Sequence, residues 1–343
     1  MKKDTSGPGT LINEMVIQGD GKSSRAGLVV EPEAAPEKDS FEVELERTLR
    51  ETEAQVLSLT DGATDPEEAE AWREAGRIVA RFKPVPWFIW RLSNFVFASS
   101  AKEVKLPEGF VLGLRRLIFA AASDPVLGSG EKINDLRKAL NVVPPNLVAA
   151  VSVIHAVCRR LASRQFERIW RPILEDAILR CHIGSHVGQY DKEFGRGRGM
   201  LAGFASRAGL AILLANGELE QARTALEALA TGREIGSVGH SIYKCDPLQV
   251  SAMMLSAAGC GRDASFGTVS YAYANKGDIA ENNQQLKWLA ALTICEEIRM
   301  GRADKVDERF WNALSIDSAE RKNELLDIAK VVIRRGHGWG WLI

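Results

Sequence analysis

The chain has 343 residues, of which 45% are hydrophobic, and its 44 Lys+Arg against 45 Asp+Glu give a formal net charge of −1. That length supports one large domain or two modest ones with a proper core. The near-neutral balance excludes a global electrostatic pull toward nucleic acid or an anionic membrane, so either would need a local patch.

Residues 1–40 are rich in Gly, Ser, Pro, Glu and Lys, with only short apolar islands such as LVV at 28–30. Such a segment buries too little surface to offset chain entropy, and disorder is expected. The opening MKKDTSGPGT lacks a signal-peptide core, and no run reaches the about 18 apolar residues of a membrane span. Five cysteines (Cys158, Cys181, Cys245, Cys260 and Cys295) form no CxxC pair and read as buried thiols in a reducing compartment. A cytoplasmic protein is the expectation.

From Phe41 the pattern changes. Phe41, Val43, Leu45, Leu49, Val56 and Leu57 recur at helical spacing, with Asp39-Ser40 as the cap. DPEEAEAWREAGRIVARF then has an acidic first turn and a basic last one, as the helix dipole prefers. Helices are predicted over 85–98, 107–123, 131–140, 144–162, 165–187, 197–215, 218–230, 247–258, 263–275, 282–300, 304–313 and 318–335. Pro, Gly and Asp punctuate them, as in KPVP, SDPVLGSG, NVVPPN and AGCGRD. Strand alternation and a fixed repeat are missing. The class is all-α: a compact multi-helix domain with helical extensions.

Several stretches between Lys83 and Lys276 keep a shared order: KPVPWFIWRLSNFVF, then GFVLGLRRLIFAAASDPVLGSGEKINDLRKALNVVPPNLVAAV, IWRPILEDAI, MLAGFASRAGLAILL and CDPLQVSAMMLSAAGCGRDASFGTVSYA. In this order they resemble the HDOD domain, a regulatory relative of the HD metal-dependent phosphohydrolases. Ser123-Asp124 stands near that family's Asn-Ser pair, and Trp170 matches its tryptophan-led helix. The resemblance divides the chain into a disordered segment 1–40, a helical extension 41–82, an HDOD-like domain 83–276, C-terminal helices 277–335 and a Trp/Gly tail 336–343. Whether 41–82 joins the core stays open.

A catalytic HD site needs histidines and aspartates to hold divalent ions that activate water. This chain has Ser206-Arg207 at the HD position, Pro247 where relatives often keep a histidine, and Tyr271-Ala272 near the closing His-His. The resemblance therefore implies no catalytic residue, no metal and no cofactor. Gly199, Gly203 and Gly209 are left with a packing role, letting neighbouring helices approach closely.

Other constellations have a chemical and a plainer reading. In CHIGSH, His182 and His186 lie one helical turn apart, a geometry zinc accepts, but the glutamate of HExxH and a third ligand are missing. The run RRLASRQFERIWR carries Arg159, Arg160, Arg164, Arg168 and Arg171, which suit phosphate groups, while Phe166 and Trp170 offer stacking faces. The same residues also describe an apolar helix face with solvated arginines. GRGRG at 195–199 lacks the Lys-Ser/Thr ending of a phosphate loop. GHSIYKCDP has no paired base and acid for a Cys–His nucleophile and reads as a polar loop, with Asp246 capping a helix that starts at Pro247. In RRGHGWGWLI, Trp339 and Trp341 either fold back or anchor a partner.

The expected function is a non-catalytic signal-transduction module in a bacterium, acting on an unidentified signalling protein through protein–protein contact. An alternative is a sensor of a nucleotide second messenger, with Arg207 or the Arg159, Arg164, Arg168 and Arg171 face as its site. A metal-dependent phosphohydrolase is the third reading. Nothing in the sequence calls for a membrane or a nucleic acid.

Overall fold

A computed structural model describes residues 38–59, 65–98, 106, 108–273 and 280–343. The disorder expected of the N-terminus lies outside these residues, except for Lys38, Asp39 and Ser40, which are helical. Asp39-Ser40 is therefore not a cap: α1 (Lys38–Leu59) is already running there.

α2 (Pro66–Phe82) begins at an Asp65 cap that accepts from the Glu67 and Glu68 amides, and α3 (Trp87–Ala98) follows the KPVP break. The helix predicted over 107–123 is two, α4 (Glu108–Gly113) and α5 (Arg115–Ser123), parted at Leu114 where ψ reaches 7°. α6 (Leu136–Val142) starts later than predicted. The Asp135 carboxylate caps it, while Glu131 to Asn134 complete a loop in which Ser123 Oγ accepts the Ile133 amide and Asp124 Oδ1 those of Val126 and Leu127.

α7 (Pro145–Ala162), α8 (Glu167–Gly188), α9 (Gly195–Asn216) and α10 (Leu219–Ala230) lie close to their predicted ranges. α11 (Ile235–Tyr243) replaces the polar loop expected around GHSIYKCDP. Its glycines and serines disguise a helix that buries Val238, Gly239 and Tyr243. α12 (Pro247–Ala257) is capped by Asp246 as expected. α13 (Arg262–Ala272) and α14 (Asn283–Arg299) follow, then a 3₁₀ turn at Ala303–Lys305, the short α15 (Glu308–Ala313) and α16 (Ala319–Arg335). No strand occurs among the described residues, and the all-α class stands.

The centre of the fold is α9, with α8 along one side and α7, α12 and α14 on the others. Length and apolarity would let α9 cross a membrane, but nearly all of it is buried inside the protein. Helices meet it at backbone distance. A Cβ on Gly199 would strike the Gly184 carbonyl, one on Gly203 the Arg180 carbonyl and one on Gly209 the Pro247 carbonyl.

Asp39–Ile343 is one compact unit with a continuous core. α1 and α2 belong to it. Trp72 is fully buried and its indole N–H reaches Glu68 Oε1 at 2.8 Å and the Tyr273 hydroxyl at 3.1 Å, while Thr52 and Ser256 hydroxyls meet at 2.5 Å.

Candidate functional site

Ser206 and Arg207 sit on α9 where it passes α8 and α14. Ser206 turns inward and donates to the Gly203 carbonyl at 2.7 Å. Arg207 Nη2 donates to Glu296 Oε1 at 2.8 Å, and its Nε lies 3.5 Å from Asp176 Oδ2. Arg180, 2% exposed, donates through Nε to Asp176 Oδ2 at 2.7 Å and through Nη1 to Glu296. Arg299 Nε donates to Asp176 Oδ1 at 2.8 Å. Three guanidiniums thus surround two carboxylates in a partly buried cluster that opens to solvent at Arg299, leaving one net positive charge.

Burial alone would raise the Asp176 carboxyl, but Arg180 and Arg299 outweigh it and hold the group below the usual carboxylate range. Tyr271 lies within electrostatic reach of Arg207 and Glu296, and burial pushes its phenol up. A donor set of arginines around carboxylates does not fit a divalent cation, because the guanidiniums occupy the lone pairs a metal would use. Among the described residues no group of three or more His, Cys, Asp or Glu is placed to hold a metal ion.

The arginines nominated between α7 and α8 do not converge on one point. Arg164 lies with its guanidinium 5.7 Å from the Phe82 ring, with its Nε buried and unpartnered. Arg171 is claimed by Glu167 and Glu175. Arg159 and Arg168 are exposed. Trp170 is buried, with its indole N–H on the Gln165 carbonyl at 2.9 Å, so it cannot stack on a base as the sequence allowed. In GRGRG, Arg196 donates to the Val126 carbonyl and to Gln189 Oε1, and Arg198 donates to the Glu193 and Phe194 carbonyls. Both are structural.

All five cysteines are buried free thiols. Burial pushes Cys245 and Cys295 up to about 12, so neither is a nucleophile at neutral pH. His182 and His186 do share a face, with ring centroids 5.4 Å apart, but His182 faces the tail. Trp339 is 1% exposed and stacks on His182 at 4.3 Å; Trp341 is half-buried. Trp339 as an exposed partner anchor is therefore corrected: the tail folds back because the histidine rings and the α7–α8 surface bury it.

Sequence reasoning missed the partners rather than the residues. Glu296, Asp176 and Arg299 are far from Arg207 in the chain, and nothing in their local patterns marks them. A cleft of about 320 Å³ was also missed; it is lined by Glu44, Arg47, Gln55, Trp90, Asn94 and Ser265 among others, and by none of the nominated residues.

No family model matches the chain, and no curated protein matches it. A solved structure does: a protein from Shewanella amazonensis SB2B named "Putative phosphohydrolase", at 14% identity and a TM-score of 0.51, over 78% of this chain and 97% of that one. At that identity the likeness speaks of architecture alone. The chain shares an all-helical fold with that protein.

Proposed function

We propose that the chain is a non-catalytic regulatory module in cytoplasmic signal transduction, acting through contact with another protein. One observation supports the reading: Arg207, which the resemblance to HDOD domains would put at the HD position, is held between Glu296 and Asp176. The site is closed electrostatically before any ion or substrate arrives. The sensor reading is the less supported, because the donors of Arg207 are already taken by protein carboxylates and main chain.

A surface suited to a partner lies on α3, where Trp87, Arg91 and Phe95 recur every four residues and so share one face. Trp87 and Phe95 are 50% and 44% exposed, and the Arg91 guanidinium lies 5.7 Å from the Trp87 ring. Tryptophan and arginine are the side chains that dominate interface energetics.

The test places a photo-crosslinking amino acid at Arg91 in source cells, with a control at Arg223 on α10. A discrete protein adduct at 91 that disappears with Trp87→Glu is expected. No adduct, or Mn²⁺-dependent phosphodiester hydrolysis that Asp176→Asn abolishes, sinks the reading.

A further inference from the structure

Two histidines, His155 and His182, bond the segment 336–343, which carries a third, His337, while His186 backs His182 from behind. A carbonyl oxygen can only accept, so the ring nitrogens facing one carry the hydrogen. His182 Nδ1 donates to the His337 carbonyl at 2.9 Å, and His155 Nδ1 donates to the Leu342 carbonyl at 3.0 Å. His337 itself donates from Nε2 to Glu175 at 2.6 Å while its Nδ1 accepts the Trp339 amide at 2.8 Å. Glu175 is steadied from the other side by Arg171 at 3.3 Å.

Two apolar anchors complete the seating. Trp339 lies flat on His182, which lies over His186, and Leu342 is fully buried. Two main-chain carbonyls, one aromatic anchor and one aliphatic anchor are what a peptide-recognition cleft reads.

The segment is held as a guest rather than as part of the helical frame. It leaves α16 through Gly336 at φ 83° and Gly338 at φ 71°, two positive-φ glycines that turn the chain out of the helix. Its own amides bond within it, Leu342 to the Trp339 carbonyl and Ile343 to the Gly340 carbonyl. The indole N–H of Trp341 is buried with no acceptor, which weakens the seated state. His155 on α7 and His182, His186 and Glu175 on α8 stand on long helices whose positions are set by α9.

We propose that α7 and α8 form a peptide-binding cleft for glycine-spaced tryptophan–leucine segments. The chain's own residues 336–343 occupy it in cis, and a second copy of that segment takes it in trans when the first lets go. This inference does not rest on the regulatory reading above.

The test titrates fluorescein-labelled, amidated GHGWGWLI into the full chain carrying Trp339→Ala and into the unaltered chain, reading anisotropy. A tethered segment competes at an effective concentration near millimolar. Saturable binding to Trp339→Ala at least tenfold tighter than to the unaltered chain, and lost when the peptide carries the same Trp→Ala change, is the expected result. No binding to a cooperatively melting Trp339→Ala chain, or binding indifferent to the peptide's tryptophan, overturns it. Should Trp339→Ala fail to melt cooperatively, a photoreactive copy of the peptide on the unaltered chain decides: adducts on α7 and α8 support the cleft, and adducts elsewhere or none reject it.

Discussion

At the scale of single residues, the central charge cluster is a matter of counting partners. Removing Arg207 leaves Arg180 and Arg299 facing Asp176 and Glu296, two cations for two anions. Removing Glu296 leaves three guanidiniums on one carboxylate, and a buried charge without its partner is costly. Glu296→Ala should therefore lose about 3 kcal/mol of stability and Arg207→Ala about 1 kcal/mol. Urea unfolding at constant m reads the difference; the reverse order would falsify the charge-balance account.

Histidine burial gives the second prediction at this scale. Burial, with His182 and Arg196 adding to it, pushes His186 from 6.5 down to about 4. Between these values the unfolded chain binds a proton that the folded chain refuses, so stability is full above pH 6.5 and falls as pH drops toward 4. The integrated loss is about 3 kcal/mol. His182 shifts in the same direction, chiefly through burial. In His186→Gln this contribution vanishes. The stability gap between wild type and variant should shrink steadily from pH 6.5 to 4.5, and a constant gap would count against a buried neutral ring.

At the scale of elements, close helix contact rests on missing side chains. Gly199→Ala on α9 drives a methyl into the Gly184 carbonyl, a backbone atom that cannot rotate away. About 3 kcal/mol of destabilisation is expected, against a helix-propensity gain of about 1 kcal/mol. Gly76 on α2 has open space around its Cβ position, so Gly76→Ala should instead stabilise by about 1 kcal/mol. Thermal melting of the two variants should move in opposite directions.

These elements were largely legible because their ends carry local chemistry. Asp65 and Asp246 each cap the amides of their own next turn, and Pro66 and Pro247 sit at first helical positions, whereas the Asp135 cap of α6 was not read from the sequence. α11 was illegible for the converse reason: IGSVGHSIY has loop-like composition, and packing rather than propensity makes it helical. The break between α4 and α5 is likewise a tertiary choice, with Val111, Leu114 and Ile118 all buried across it. The site was legible only in part. Arg207 stood out by its residue type, whereas Glu296 pairs with it across 89 positions.

At the scale of the whole molecule, N-terminal and C-terminal helices close over the same centre. α2 and α12 meet through Glu68, Gln249 and Tyr273, and α14 brings Glu296 to α8 and α9. Residues of all these helices belong to one hydrophobic cluster, so composition marks no seam between them. The position of α9 has a further consequence in time. Its apolar length is the middle of the fold, yet the α12 and α14 that cover it come later in the chain. At about 5–20 residues per second, synthesis leaves α9 waiting on the order of 10 s for its cover. During that interval a membrane-like helix is covered only by the α7 and α8 that precede it, and its yield in cells becomes a question of who holds the faces still open.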